Sequence, residues 1–340
     1  MADSRPEREG DALLVGQEPV EPKAVDLDGG VDGIEYFSVR YSPDGKLVAC
    51  GCGDGVIRVF NRVSGKVAYK LNVGASSELP ITCVRFRPQP ASSSAQNIVV
   101  AACADGSLQH FHASTQQRLH RIDEPGNEIY AIDFTTSGDL LASAGHDGKV
   151  RLYDETNKAL ISVMGSGPFQ NQTTGHASRV FSVRFMPYSK NVLVSGGWDN
   201  TIQIWDVRTG RAERYVFGPH IAGDALDVTS TGRILTGSWR TEDQLQLWDL
   251  SSGKMICDIA WRNAPMVYAV AFSANGTSFV AGGTSPNSAA VFDLVGNGYT
   301  CRTTSMLPAL GGVYSAAINP SGQRVLFAGA GRHVRELTLA

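Results

Sequence analysis

Aromatic and charged side chains recur at one repeated position of this 340-residue chain. The position returns every 43 to 51 residues and is occupied by Phe37, Thr82, Tyr130, Phe181, Asp224, Tyr268 and Tyr314. Short turns add His146, Trp198, Trp239 and Arg240, while Glu35 and Glu128 stand two residues before two of the aromatic residues. Aromatic faces beside carboxylates attract a Lys or Arg side chain through cation–π contacts and ion pairs. We therefore expect a partner-binding rim wherever the fold brings these side chains together.

The opposing interpretation is that the rings only pack on one another and close a channel. Two residues favour binding, because Trp198 and Trp239 fall in predicted turns, where folding requires no large apolar side chain. Exposed aromatic residues are typical anchors of protein interfaces.

Sequence motifs of common enzymes are missing. The chain has no phosphate-binding G-x-x-x-x-G-K-[ST] loop, no G-x-S-x-G nucleophile turn and no H-E-x-x-H zinc helix. The pair Cys50 and Cys52 lacks a second pair at zinc-finger spacing, and His110 with His112 is an equally weak metal signal. Acidic pairs such as Asp123 and Glu124 fall in polar connections, where we expect solvated surface. We therefore predict no catalytic residue, no metal and no cofactor.

The elements that must position the rim are small repeated sheets. The segment at residues 192–206, VLVSGGWDNTIQIWD, combines an apolar run, a small-residue step, a tight turn and an alternating run that ends in an aromatic residue. Seven variants of this unit follow one another along the chain. One such sheet cannot bury its apolar faces alone, so neighbouring units must stack. Spacing near 40–45 residues is typical of a four-stranded propeller blade, and we predict an all-β, seven-bladed β-propeller of antiparallel blades.

With these units in view, the chain resembles the WD40 repeat family from about residue 24 onward. The fourth unit carries the residues of the family's buried network, which are His176, Ser195, Asp199 and Trp205. The resemblance implies that these four side chains form a hydrogen-bonded chain that fixes the blade. We expect the full network in this blade alone, and we interpret its histidine and aspartate as structural rather than catalytic.

The predicted domain organisation is one propeller over residues 23–340, preceded by a polar extension over residues 1–22. The predicted blades cover residues 34–72, 80–123, 128–164, 176–218, 222–260, 266–306, and 312–340 completed by 23–28. The seventh unit has only three strands, and an open sheet edge is avoided in folded proteins. An N-terminal strand is therefore expected to close the ring, with Ala24–Leu27 and Ala12–Val15 as the two candidates.

The composition of the chain limits the classes of partner that we expect. The formal net charge of −3 provides no basic field for nucleic acid or an anionic membrane, and no apolar stretch approaches the length of a membrane span. Cysteines such as Cys50, Cys83 and Cys103 fall in predicted strands, where they act as small apolar residues. We expect a cytoplasmic protein, with the cytoskeleton, the cilium and the nucleus as alternatives.

The expected function is that of a non-enzymatic scaffold, a subunit of a larger assembly that is cytoskeletal or ciliary in one version of the hypothesis. By family resemblance, such propellers bind other proteins. Two alternatives remain. The protein could be a reader of Lys- or Arg-bearing tails such as histone peptides, or an enzyme that uses the central channel as a pocket.

Overall fold

The computed structural model describes residues 24–29, 33–74, 79–88, 97–166, 175–307, 311–331 and 333–339. These residues contain 28 strands and no helix. The strands form seven four-stranded antiparallel sheets, and the first strands of successive blades contact one another in a closed cycle. The all-β, seven-bladed propeller predicted from the repeats is therefore confirmed.

The first four blades follow the chain in simple order. Blade one contains β2 (Tyr36–Tyr41), β3 (Leu47–Cys52), β4 (Val56–Asn61) and β5 (Val67–Asn72). Blade two contains β6 (Ile81–Phe86), β7 (Ile98–Cys103), β8 (Ser107–His112) and β9 (Gln117–Asp123). Blade three contains β10 (Ile129–Phe134), β11 (Leu140–Gly145), β12 (Val150–Asp154) and β13 (Leu160–Met164). Blade four contains β14 (Val180–Met186), β15 (Ser189–Gly197), β16 (Thr201–Asp206) and β17 (Arg211–Phe217).

The last three blades end with the one sheet that combines both ends of the described chain. Blade five contains β18 (Leu226–Val228), β19 (Arg233–Gly237), β20 (Leu245–Asp249) and β21 (Met255–Asp258). Blade six contains β22 (Met266–Phe272), β23 (Ser278–Thr284), β24 (Ser288–Val295) and β25 (Gly298–Met306). Blade seven contains β26 (Val313–Ile318), β27 (Arg324–Gly329), β28 (His333–Thr338) and β1 (Ala24–Asp28).

An N-terminal strand closes the ring, as predicted. Strand β1 pairs antiparallel with β28 over five residue pairs, from Ala24 opposite Leu337 to Asp28 opposite His333. Leu27 is fully buried in the cluster between blades seven and one, so β1 supplies both backbone pairing and apolar packing. The other candidate for the closing strand, Ala12–Val15, lies outside the described residues.

Seven clusters of buried apolar side chains in the described part of the chain each join two neighbouring blades. Each blade is therefore held by its neighbours on both faces, and the propeller is stable only as a ring. All six cysteines are free thiols, and four of them are buried. No helix that could cross a membrane is present among the described residues.

A β-bulge fixes the direction of the repeated aromatic position. In six blades the pairing of the first two strands shifts by one residue, which leaves one first-strand residue unpaired. The unpaired residues are Phe37, Thr82, Tyr130, Phe181, Tyr268 and Tyr314. A bulge bends its strand and re-aims the extra side chain. Blade five differs, because its first strand begins only after Asp224, which forms an isolated parallel bridge with Ala269.

Candidate functional site

Eight rings in consecutive contact surround one end of the central channel. Their centroids lie 4.7–6.4 Å apart, within the usual range for interacting aromatic pairs. In order of contact the rings belong to Tyr130, Phe181, Trp198, His220, Trp239, Tyr268, Tyr314 and Phe37. We call this set the aromatic arc. It is open at blade two, where Thr82 occupies the repeated position.

His220 is a member of the arc that the sequence reasoning missed. The His220 ring lies between the side chains of Trp198 and Trp239, with centroids 6.2 Å and 6.4 Å from the two indoles. His220 belongs to the connection between blades four and five, and its Nδ1 lies 2.8 Å from Asn200 Oδ1. The only signal in the sequence was a histidine close to the next repeated position, Asp224. Both indoles remain 39% exposed, so folding leaves them accessible.

The arc surrounds a cavity of about 480 Å³ at the channel mouth. Five of its rings line the cavity, those of Phe37, Tyr130, Phe181, Tyr268 and Tyr314. The remaining lining includes Thr82, Cys83 and two acidic residues, Glu128 and Asp224. The seven residues of the repeated position therefore line one cavity. The turn residues Trp198 and Trp239 lie outside the cavity and extend the surface along the rim.

Asp224 does not serve the role that we expected of it. Its carboxylate accepts hydrogen bonds from Arg40, from Arg184 Nη2 at 2.5 Å and from Ser315 Oγ at 3.2 Å, and Arg85 Nη2 lies 3.5 Å away. The three arginines come from the first strands of blades one, two and four. Because the protein's own guanidinium groups occupy this carboxylate, it is not available to the cation of a partner.

A second layer of side chains, three residues further along the first strands, contains these arginines. We call it the charged layer, and it consists of Arg40, Arg85, Arg184, Asp133, Asp227 and the carboxylate of Asp224. Arg184 Nε donates to Asp227 Oδ1 at 3.3 Å, and Arg85 Nε lies 3.6 Å from Asp133 Oδ1. The layer thus joins blades one to five across the channel.

Charge and burial oppose each other in the charged layer. Burial tends to raise the pKa of Asp224, but the positive charges of Arg40, Arg184 and Arg85 outweigh it and hold that pKa well below the usual value. Burial dominates at Asp133, whose pKa is raised. Asp224 is therefore an ionised structural group rather than a proton acceptor.

Two carboxylates at the entrance are more accessible. Glu128 is exposed and accepts a hydrogen bond from the Tyr130 hydroxyl, and burial together with this carboxylate raises the pKa of Tyr130 to about 12. Glu35 is also exposed, and burial followed by the Glu35 charge raises the pKa of Tyr314. The two acids precede the first strands of blades one and three, and the Glu35 charge acts on Tyr314 of blade seven.

The positive groups on the rim already have partners. The Arg179 guanidinium lies 5.2 Å from the Trp198 ring centroid, and its Nε donates to His146 Nδ1 at 3.0 Å. Arg240 donates to the carbonyl oxygens of Gly218 and Asp243, each at 3.0 Å. His146 and Arg240 were expected to contact a partner, but their contacts here hold the rim's own turns, and one face of Trp198 carries an internal cation.

The four network residues of blade four lie in one hydrogen-bonded chain. His176 Nδ1 lies 2.9 Å from Asp199 Oδ2, and its Nε2 lies 2.7 Å from Ser195 Oγ. Trp205 Nε1 donates to the same Ser195 hydroxyl at 2.8 Å. His176, Ser195 and Trp205 are buried. The chain connects the loop before the blade to its turn and its third strand.

Blade three contains a variant of this network built from other residue types, which the sequence analysis did not predict. Glu124, expected on the solvated surface, is only 3% exposed. Its carboxylate accepts hydrogen bonds from Ser143 Oγ, from Tyr153 at 2.9 Å and from Asn127 at 2.7 Å, and Arg151 lies 3.2 Å away. Ser143 and Tyr153 correspond to the serine and tryptophan of blade four, which is the signal that the sequence offered.

The described residues contain no group of three or more His, Cys, Asp or Glu side chains that could hold a metal ion. This end of the channel presents aromatic faces, two accessible carboxylates and a cavity. These groups are suited to binding rather than to a chemical reaction.

Parts of the chain match two known protein families. Residues 116–154 and 167–206 match the family described as WD domain, G-beta repeat, and residues 25–89 match the anaphase-promoting complex subunit 4 WD40 domain.

Related proteins match parts of the chain. A periodic tryptophan protein 2 homolog of Dictyostelium discoideum is 27% identical over 178 residues, which is 52% of this chain and 18% of that protein. A guanine nucleotide-binding protein subunit beta of Zea mays is 28% identical over 246 residues, which is 69% of this chain and 63% of that protein. The chain thus spans less than two thirds of the length of either relative. The seven blades and the repeat matches together show that the chain belongs to the WD40 repeat family.

Proposed function

We propose that this propeller is a non-enzymatic interaction platform that holds a partner protein on its aromatic arc. The observation that carries the proposal is the continuous run of eight rings, in which Trp198 and Trp239 stay 39% exposed at the rim. Large aromatic side chains near the centre of an interface supply most of its binding energy. A rigid ring of blades presents them at no cost in ordering the surface.

The partner segment is proposed to carry a Lys or Arg side chain, as a histone tail does. Glu35 and Glu128 are exposed carboxylates that act on the rings of Tyr314 and Tyr130, and aromatic rings with carboxylates attract a cation. Asp224 takes no part, because three arginines neutralise it.

Membership of a larger assembly is part of the same proposal. It is supported by the family and by relatives that include a guanine nucleotide-binding protein subunit beta, named as a subunit. A cytoskeletal or ciliary assembly in the cytoplasm is the version we propose, with the nucleus as the alternative location. Fractionation of cells that contain the tagged chain would decide between them.

No observation favours the alternative of a channel enzyme. Glu128 and Asp224 both line the cavity, and the buried carboxylate, Asp224, has a pKa held well below its usual value by Arg40, Arg184 and Arg85 despite burial. A general base needs a pKa near the working pH, and this group is far from it.

The test compares two double variants of the tagged full-length chain. Trp198→Ala with Trp239→Ala removes the exposed anchors of the arc. Tyr188→Ala with Tyr215→Ala is the matched control, because these tyrosines are 57% and 56% exposed but do not belong to the arc. Partners captured from cells are quantified by mass spectrometry.

We expect the tryptophan variant to fold normally by circular dichroism and to lose its main partners. Anchor truncation typically costs about 2 kcal/mol or more, which is roughly a 30-fold loss of affinity. The tyrosine variant should retain these partners. If the tryptophan variant keeps every partner, the interaction surface lies elsewhere and the proposal is wrong.

A further inference from the structure

We infer that the cavity inside the arc takes a bulky uncharged apolar side chain, while the neighbouring Lys or Arg of the same segment stays at the entrance over blade two. The recognised segment would then contain an apolar residue next to a basic one. This inference rests on the proposed function and specifies what the partner must present.

The inner end of the cavity is unsuited to a cation. Both oxygens of the Asp224 carboxylate already accept hydrogen bonds from Arg40, Arg184 and Ser315. A Lys or Arg side chain inserted to this depth would find an occupied carboxylate with three guanidinium groups around it. A buried charge without a partner is costly. The three guanidinium groups at the inner end of the cavity therefore disfavour a cationic side chain there.

The walls of the cavity suit an apolar group. They consist largely of the rings of Phe37, Tyr130, Phe181, Tyr268 and Tyr314. The volume of about 480 Å³ lies within the range of roughly 300–1,000 Å³ that is usual for sites that hold small ligands. An aromatic or branched aliphatic side chain would therefore be surrounded largely by aromatic rings.

Charge on the rim directs the basic residue toward blade two. The accessible carboxylate of Glu128 lines the cavity together with the blade-two residues, and the exposed Glu35 precedes the first strand of blade one. Arg179 covers one face of Trp198, and Arg240 is fixed in the turn that carries Trp239, so a partner's cation is repelled on that side. Blade two itself offers only small side chains, because Pro80, Thr82 and Ala104 line the cavity there.

The experiment pans random 12-residue peptides displayed on phage against the full-length chain. We expect the selected peptides to share a large apolar residue within two positions of a Lys or Arg. In binding titrations with these synthetic peptides, apolar→Ala should reduce affinity at least tenfold. Changing the basic residue to Gln should reduce affinity by a smaller factor. These two changes act on the peptide alone, so they hold whether or not a protein variant folds.

Two protein variants separate the cavity from the entrance. Thr82→Phe places in blade two the side chain that blades one and four already carry at this bulge, and it narrows the cavity. This variant should bind the selected peptides at least tenfold more weakly. Glu35→Gln with Glu128→Gln should abolish the preference for the basic residue and keep the preference for the apolar one.

Three results would overturn the inference. They are peptides with a basic but no apolar residue, undiminished binding by Thr82→Phe, and failure to select any peptide. Each leaves the proposed function open to its own test, because that test is the loss of cellular partners by the Trp198→Ala, Trp239→Ala variant.

Discussion

The aromatic arc and the charged layer come from the same strands, three residues apart. They differ in whether their side chains are fully paired within the protein or remain exposed. In the charged layer every carboxylate faces a guanidinium group of another blade, as in the contacts of Asp224 with Arg40 and Arg184. In the arc the rings contact one another at their edges and faces but keep area open, as Trp198 and Trp239 show. One periodic pattern therefore produces ionic contacts across the channel in the charged layer and, in the arc, the exposed aromatic surface that we propose binds a partner.

This contrast predicts a separation of effects. Substitutions in the charged layer should lower the free energy of unfolding, because they leave buried charges without partners. Substitutions in the exposed part of the arc should lower affinity for partners and leave the free energy of unfolding nearly unchanged.

The largest expected effect on stability is that of Asp224→Asn. It removes the negative charge that Arg40, Arg85 and Arg184 share, and breaking a buried ionic cluster costs about 3–5 kcal/mol. The matched control is Glu128→Gln, the same carboxylate-to-amide change at an exposed position of the rim, which we expect to be nearly neutral. Denaturant titrations of both variants measure the difference. Equal stability of the two variants would remove the distinction between the layers.

A smaller loss of unfolding free energy is expected from substitutions in the hydrogen-bonded network of blade four. His176→Ala and Asp199→Ala each leave buried polar groups unsatisfied, at about 1–3 kcal/mol. The two side chains belong to one hydrogen-bonded chain, with His176 Nδ1 and Asp199 Oδ2 at 2.9 Å. The double variant should therefore lose less than the sum of the single losses. Strictly additive losses in denaturant titrations would show that the chain of bonds contributes no coupling.

The smallest expected effect is a pH dependence that belongs to the arc alone. Burial and then the charge of Arg240 lower the pKa of His220 from its usual 6.5. As the pH falls below about 6.5, the unfolded chain binds a proton before the folded one does, so this contribution to stability is full above that pH and declines below it. Asp224 remains ionised throughout this range.

The variant His220→Phe keeps a ring in the arc and removes the titrating group. The stability difference between the wild type and this variant, measured in urea between pH 8 and pH 5, should shift against the wild type as the pH falls. A difference that stays constant with pH would contradict the assignment.

Local patterns in the sequence predicted the blades and the closing strand, because each depends on turns and alternating runs of neighbouring residues. The aromatic positions were also predictable, since they recur with the repeat. The bulge that orients these aromatic side chains is an irregularity in strand pairing, and no residue type in the sequence indicates it. Glu124 could have been placed by aligning Ser143 and Tyr153 with the serine and tryptophan of blade four.

Contacts between distant blades were not predictable from one sequence. Asp224 and Arg40 are 184 residues apart, and nothing local indicates that the carboxylate turns toward the arginines rather than toward the solvent. His220 enters the arc from a connection whose course depends on the packing of blades four and five. The Asp224 contacts with Arg40 form only when the ring closes, whereas the His220 contacts depend on how two adjacent blades pack.

The most direct test of the central claim is the footprint of a bound partner on the propeller, measured by amide hydrogen exchange of the full-length chain with and without a partner captured in the pull-down. We predict slower exchange in the turns at residues 198–200 and 239–243, with no change at the Tyr188 amide in the hairpin turn beyond the far end of β14. Protection confined to that hairpin or to the outer strands, with unchanged exchange in the two tryptophan turns, would contradict the claim that the aromatic end of the channel is the binding end.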